Sequence, residues 1–236
     1  VRLEVNITRK CYQNAAGECT EVLSNLNFAL ASGEVGGVIG PSGCGKSTML
    51  RILTGLDHDY QGTVNRPADA RIGIVFQEPR LLPWRSVEDN VRLAAPRADE
   101  PGLARLFAQL ELTAHRNHFP HELSLGLARR VALARAFAVE PDILILDEPL
   151  ASLDAALAAT LRDQIAALVD SRAVTTVLVT HDIDDAVRLC DQLFFLSPRP
   201  GRVVATVPIG IARAARGGAE LTRIKADLAG LDLANL

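Results

Sequence analysis

The chain has 236 residues, of which 48% are apolar and 22% charged, and its net charge is −3. That balance belongs to a folded chain rather than a disordered one, and the length suits one large α/β domain. The acidic balance gives no support to a nucleic-acid partner, where a basic excess is expected. No uncharged apolar run approaches the roughly 18 residues of a membrane span. The start, Val1 to Lys10, alternates apolar and polar residues without the apolar core of a signal peptide. A cytosolic chain that meets a membrane only through partners is expected. Cys11, Cys19, Cys44 and Cys190 show no CxxC pairing, so reduced thiols are expected in place of a zinc site or disulfide framework.

In chain order, Leu3, Val5 and Ile7 alternate with polar neighbours, and with residues 22–30 they predict an antiparallel flank with one solvated face. Residues 35–39, 72–76, 143–146, 176–179 and 193–196 are nearly continuous in apolar character, as in parallel strands covered on both faces. Gly36-Gly37 lies inside the first of these, where two glycines forgo packing at about 0.5–1 kcal/mol each. Close approach of a neighbouring element would explain them. From Pro79 to Glu140 the spacing turns helical: Leu103, Leu106, Phe107 and Leu110 share one face, and Val131, Ala134, Arg135 and Ala138 belong to a further helix. Pro96 and Pro101 bracket a loop before the first of these. An alanine-rich helix over 155–167, a strand over 203–207 and a polar helical tail complete the pattern. The expected fold is α/β: one domain over 1–236 with a mainly parallel sheet and an antiparallel β flank. Its core takes 1–78 and 136–210, a helical subdomain 79–135, and a C-terminal helical tail 211–236.

Gly40-Pro41-Ser42-Gly43-Cys44-Gly45-Lys46-Ser47-Thr48 fits GxxxxGK[ST] at every position, after a predicted strand and at the opening of a helical run. Glycines let successive N–H groups point inward, and a helix N-terminus adds partial positive charge, so the segment forms an anion nest. Lys46 would reach the β- and γ-phosphates of ATP, and the Ser47 hydroxyl would ligate Mg²⁺. In Asp142-Ile143-Leu144-Ile145-Leu146-Asp147-Glu148 a buried strand delivers two carboxylates to the edge where α/β proteins bind ligands. Asp147 would hold Mg²⁺ through water, and Glu148 would orient or deprotonate the attacking water. Gln77 ends another strand, where a neutral amide can contact Mg²⁺ and the water, and His181 ends a third, within reach of a γ-phosphate. Taken singly, Gln77 and His181 each read better as a solvated strand end; the coincidence of four such ends gives them weight.

These residues resemble the nucleotide-binding subunit of ABC transporters over about residues 3–210: the phosphate loop, Gln77, the signature Leu123-Ser124-Leu125-Gly126-Leu127, Asp147-Glu148, Ala151-Ser152-Leu153-Asp154 and His181. The resemblance implies ATP hydrolysis by a pair of subunits, a homodimer, with each ATP held between one phosphate loop and the other copy's signature. Ser124, Gly126 and Asp154 then join the nucleotide site. Tyr12 matches the aromatic residue that stacks on adenine, with a core tyrosine as the alternative. The signature departs from the family's LSGG: Leu125 replaces the first glycine, and Leu127-Ala128 replaces a polar pair. A weakened but not abolished closure is expected, because leucine restricts the close backbone approach that glycine allows.

The stretch from Glu78 to Val91, with Trp84 between Pro83 and Arg85, resembles importers of the nitrate, sulfonate and taurine group. That implies permease subunits docking near Trp84, a periplasmic solute-binding protein, and a peripheral place on the cytoplasmic face of the bacterial inner membrane. Packing of Trp84 within its own subdomain is the alternative. A lipid- or lipoprotein-handling ABC system, or a weakly hydrolysing regulatory subunit, is the competing function. His115, His118 and His121 invite a metal reading, but Pro120 interrupts any helix aligning them, so an exposed loop is expected. Arg129, Arg130 and Arg135 read as a solvated or dimer-facing edge.

Overall fold

A computed structural model describes residues 1–13 and 17–230. The chain runs through β1 (Leu3–Gln13), β2 (Cys19–Leu30), β3 (Val35–Ile39), α1 (Lys46–Leu53), β4 (Gln61–Asn65), β5 (Ile72–Val75), α2 (Val87–Ala94) and α3 (Glu100–Gln109). It continues through α4 (Leu125–Ala138), β6 (Ile143–Asp147), α5 (Ala155–Arg172), β7 (Thr175–Val179), α6 (Ile183–Leu189), β8 (Gln192–Leu196), β9 (Val203–Pro208) and α7 (Gly218–Gly230). Of the expected tail, residues 231–236 lie outside the described residues. The elements divide into two units: Val1–Ala68 with the chain from Thr175 onward, and Asp69–Val174. Among the described residues, no helix is long and apolar enough to cross a membrane.

In the first unit, β1 is the centre of an antiparallel sheet ordered β2-β1-β4. Leu3, Val5 and Ile7 face inward, and in register with them stand Leu30, Phe28 and Leu26 of β2, all buried. The alternation in the sequence is therefore the two faces of this flank. Strand β4 escaped the sequence reading because Gln61-Gly62-Thr63-Val64-Asn65 is mostly exposed and carries one apolar side chain; pairing to β1 makes it a strand. Strands β7, β3 and β8 pair in parallel, and β9 closes this edge antiparallel to β8. All five residues of both β3 and β7 are buried. A Cβ on Gly36 would lie 2.6 Å from Leu30 and 2.9 Å from Phe194, and one on Gly37 2.8 Å from Cys190 Sγ and 2.9 Å from Leu193. Large side chains on both faces fill the space, which accounts for the glycine pair.

One sequence expectation fails in this unit. Cys11 and Cys19 form a disulfide, with Cα atoms 5.7 Å apart. They lie eight residues apart on strands joined by a hairpin, near a register shift between Lys10 and Cys11. Cross-strand pairing, invisible to a search for CxxC, brings them together. Cys44 and Cys190 are free and buried, and burial pushes the Cys190 thiol far above its usual range.

In the second unit, β5 and β6 pair in parallel, Ile72 with Ile143 through Val75 with Leu146. Polar side chains start its helices: Ser86 caps α2, Asp99 caps α3, Ser124 caps α4 and Asp154 caps α5, each accepting a first-turn N–H. Two further expectations are corrected here. Arg129 and Arg130 are not a solvated edge: they are 4% and 9% exposed. Arg129 and Arg135 donate to main-chain carbonyls, and Arg130 pairs with Glu111. His115 and His118 are half-buried rather than in an exposed loop, with their Nδ1 atoms 3.2 Å apart; a short 3₁₀ turn at Thr113–His115 brings the rings together.

Candidate nucleotide site

The phosphate loop leaves buried β3 and enters α1. Gly45, its last residue before the helix, has φ 110°, and a Cβ there would lie 2.5 Å from Leu23 of β2. Only glycine meets both demands. Helix α1 starts with no side-chain cap and no acidic residue in its first turn, so its leading N–H groups remain open to an anion. The Lys46 ammonium lies across the loop, donating to the carbonyls of Gly40 at 2.6 Å and Pro41 at 2.9 Å. An ammonium inside a curl of N–H donors fits polyphosphate in charge and in donor set. Pro41, Ser42, Gly43 and Ser47 are exposed, whereas the Cys44 and Thr48 side chains are buried. Those two can face a ligand only through their backbone.

Tyr12 is no core tyrosine. It is 38% exposed, and its hydroxyl donates to Asp57 Oδ2 at 3.2 Å. Lys10, 2% exposed, lies 4.6 Å from the ring centroid and donates to Asp57 Oδ1 at 2.9 Å and Asp59 Oδ2 at 3.3 Å. Burial alone would depress the Lys10 pKa, but hydrogen bonds to Asp57 and Asp59 outweigh it and raise the value. Burial likewise works against the Asp57 carboxylate, yet the Lys10 hydrogen bond holds its pKa below the usual range. The sequence reading missed this cluster because Lys10 falls out of phase with Leu3, Val5 and Ile7, and an irregularity of the strand between Ile7 and Arg9 accompanies its inward turn. In the same unit His181 follows β7 in an exposed position, and the next residue, Asp182, caps α6 with bonds from Asp184 and Asp185 N–H.

In the second unit β5 and β6 lead to Gln77 and to Asp147-Glu148. The Gln77 Nε2 donates to Glu148 Oε2 at 3.3 Å. Glu148 leaves its strand with φ 46°, a left-handed conformation that costs a non-glycine residue of order 1–3 kcal/mol. Together the amide and carboxylate can hold a water between a donor and a base. Asp147 is half-buried at the same strand end. Among the described residues no group of three His, Cys, Asp or Glu could hold a metal alone. Mg²⁺ binds through one or two side chains plus phosphate oxygens and water, and within this unit the Asp147 carboxylate and the Gln77 amide are oxygen donors of that kind.

The signature begins α4. Ser124 Oγ accepts from Leu127 N–H at 3.3 Å, and Asp154 Oδ1 accepts from Leu157 N–H at 2.9 Å. A Cβ on Gly126 would lie 2.6 Å from Leu157. All three residues thus have local duties at the starts of α4 and α5, and Leu125 stands 45% exposed beside them.

The ABC transporter family model matches residues 23–151. The aliphatic sulfonates import ATP-binding protein SsuB 2 of Burkholderia lata is 42% identical over 89% of this chain and 78% of its own. SsuB 1 of Pseudomonas savastanoi pv. phaseolicola is 38% identical over 95% and 93%. Among solved structures, a dimeric post-hydrolysis ATP-binding cassette bound to ADP and Pi superposes with a TM-score of 0.76 at 30% identity, covering 90% of this chain and all of that one. The structure of cbiO1 from Clostridium perfringens, part of the ABC transporter complex cbiONQ, gives 0.76 at 28% identity, covering 96% and 94%. A phosphate loop built on buried β3, with the family match running through it to Asp147-Glu148, identifies the chain as a member of the ABC transporter family, an ATP-binding and ATP-hydrolysing cassette that works with Mg²⁺.

Proposed function

We propose that this cassette powers import of aliphatic sulfonates through partner permease subunits. The observation that carries this reading is the 38–42% identity to sulfonate-import ATP-binding proteins along most of both chains. Trp84, 71% exposed on the loop before α2, supports it as an apolar anchor for a permease helix.

In the mechanism, backbone N–H groups of Gly40 to Thr48 cradle the phosphates and Lys46 neutralises their charge. Tyr12 supplies a ring face for adenine. Ser47, Gln77 and Asp147 would hold the Mg²⁺ that comes with ATP, which would supply positive charge against the phosphate oxygens. Glu148 takes a proton from the attacking water, Gln77 orients that water, and His181 hydrogen-bonds the γ-phosphate. Two copies close face to face, so that Ser124, Gly126 and Asp154 of one complete the site of the other. Closure favoured by ATP and reopening after hydrolysis is a population shift driven by nucleotide affinity. The 79–135 helical subdomain passes that motion to the permease.

The test is ATP hydrolysis by the chain assembled with its permease and solute-binding protein in vesicles. Alkanesulfonate should stimulate hydrolysis and appear in the lumen. Stimulation by nitrate with none by alkanesulfonate would overturn the substrate assignment.

A further inference from the structure

Arg129 lies in the second turn of α4 and is 4% exposed. Its guanidinium forms no ion pair among the described residues; it is spent on main-chain oxygens. One terminal nitrogen donates to the Gln77 carbonyl and, at 3.4 Å, to that of Phe76, while the other donates to Ala151 at 3.2 Å. The buried Nε has no partner. Burial lowers the pKa of this group, with Glu78 as the nearest charge opposing the effect.

The two segments it grips both bear on Glu148. Gln77 touches the Glu148 carboxylate through its side chain at 3.3 Å. Ala151 donates its N–H to the Glu148 carbonyl at 3.2 Å. Side chain and backbone of Glu148 are thus each one hydrogen bond from a residue whose carbonyl Arg129 holds. Glu148 meanwhile sits at φ 46°, a conformation that persists only where its surroundings enforce it. A buried charge facing only carbonyl dipoles is a poor stabiliser, since a packed apolar side chain of similar volume often does as well or better. What the planar guanidinium supplies is two fixed directions of donation from one group, which neither lysine nor methionine reproduces.

We propose that Arg129 is a positioning residue for hydrolysis: from the signature helix it fixes the Gln77 peptide and the Ala151 peptide, and so sets the Gln77–Glu148 pair. The proposal rests on the reading that Gln77 and Glu148 handle the attacking water. It ties the start of α4, where a second copy would engage ATP, to the hydrolytic pair within the same chain.

The test is a double-mutant cycle with Gln77→Ala and Arg129→Met, reading kcat, ATP affinity, the Mg²⁺ dependence of the rate and thermal stability. A misplaced Gln77–Glu148 pair should lower kcat in Arg129→Met by about 10- to 100-fold. ATP affinity should stay within about twofold, and the Mg²⁺ concentration for half-maximal rate should rise. In the Gln77→Ala background, Arg129→Met should lower kcat by less than in the wild type, because only the route through Ala151 to Glu148 remains. Arg129→Lys should recover melting temperature but not kcat. A folded Arg129→Met protein with the wild-type rate and Mg²⁺ dependence would overturn the proposal, as would effects that multiply with those of Gln77→Ala. Rate, affinity and stability falling together, and all restored by lysine, would mark a merely structural arginine and overturn it too. An unchanged rate in Gln77→Ala itself would strike instead at the underlying reading of the hydrolytic pair.

Discussion

Asn90→Ala should loosen the loop that presents Trp84. Asn90 is fully buried in α2. Its Oδ1 accepts from Leu82 N–H at 2.7 Å, and its Nδ2 donates to the carbonyls of Leu82 at 3.2 Å, Arg85 at 3.1 Å and Ser86 at 2.9 Å. The Leu82 and Ser86 carbonyls have second partners in the N–H groups of Arg85 and Asn90. Truncation therefore orphans chiefly the Leu82 N–H and the Arg85 carbonyl. At about 1 kcal/mol per net hydrogen bond, with a further desolvation penalty for a stranded N–H, the cost comes to roughly 2–3 kcal/mol. Amide exchange reads this locally: Leu82 N–H should exchange about 30- to 150-fold faster, since each tenfold corresponds to about 1.4 kcal/mol. The isolated chain should keep its ATPase rate, whereas permease-coupled hydrolysis should fall. Leu82 exchange within twofold of wild type would refute the assignment of Asn90 as the pin of this loop.

Lys10→Met should leave half-buried Asp57 with the Tyr12 hydroxyl but no ammonium, and cost roughly 2–4 kcal/mol, at or below the usual range for a broken buried pair because Asp57 is partly and Asp59 fully solvated. In the wild type, the raised Lys10 pKa contributes stability that is complete below 10.5 and lost as pH rises through the folded value. The lowered Asp57 pKa contributes stability present above 3.8 and lost as pH falls through its folded value. Denaturant midpoints of the two proteins should therefore differ across the plateau between these limits and converge in acid; a constant gap down to the lowest pH would contradict the pairing. Leu125→Gly should raise turnover of the assembled transporter, because glycine permits close backbone approach; a two- to fivefold gain corresponds to roughly 0.5–1 kcal/mol off the barrier. An unchanged or lower rate would remove Leu125 as the brake on closure.

Much of the fold was legible because its signals are local. The phosphate loop is a contiguous motif, and the apolar runs at 35–39, 72–76 and 143–146 became β3, β5 and β6 with shifts of a residue or two at their ends. What stayed hidden depends on partners distant in sequence. Strand β4 is mostly exposed and exists through its pairing with β1. The Cys11–Cys19 bond needs the hairpin register, and the glycine pair at 36 and 37 needs Phe194, Leu193 and Cys190 pressed against it. Arg129 and Arg130 misled for a related reason: charge in a sequence suggests solvent, while these guanidinium groups found carbonyls and Glu111 in the interior. Ser124 and Asp154 carry two readings at once, since the side chains the family pattern assigns to nucleotide also cap α4 and α5.

The most direct test of Glu148 as the hydrolytic base in a paired cassette is the mass of the Glu148→Gln protein in solution with saturating Mg·ATP, measured alongside its steady-state hydrolysis. The variant should bind ATP, accumulate at twice the 25.3 kDa of one chain, and turn over at about a hundredth of the wild-type rate or less, as expected when a proton-transfer group worth 10²–10⁴-fold is lost. A protein that stays monomeric with ATP bound, or that hydrolyses at the wild-type rate, would contradict it.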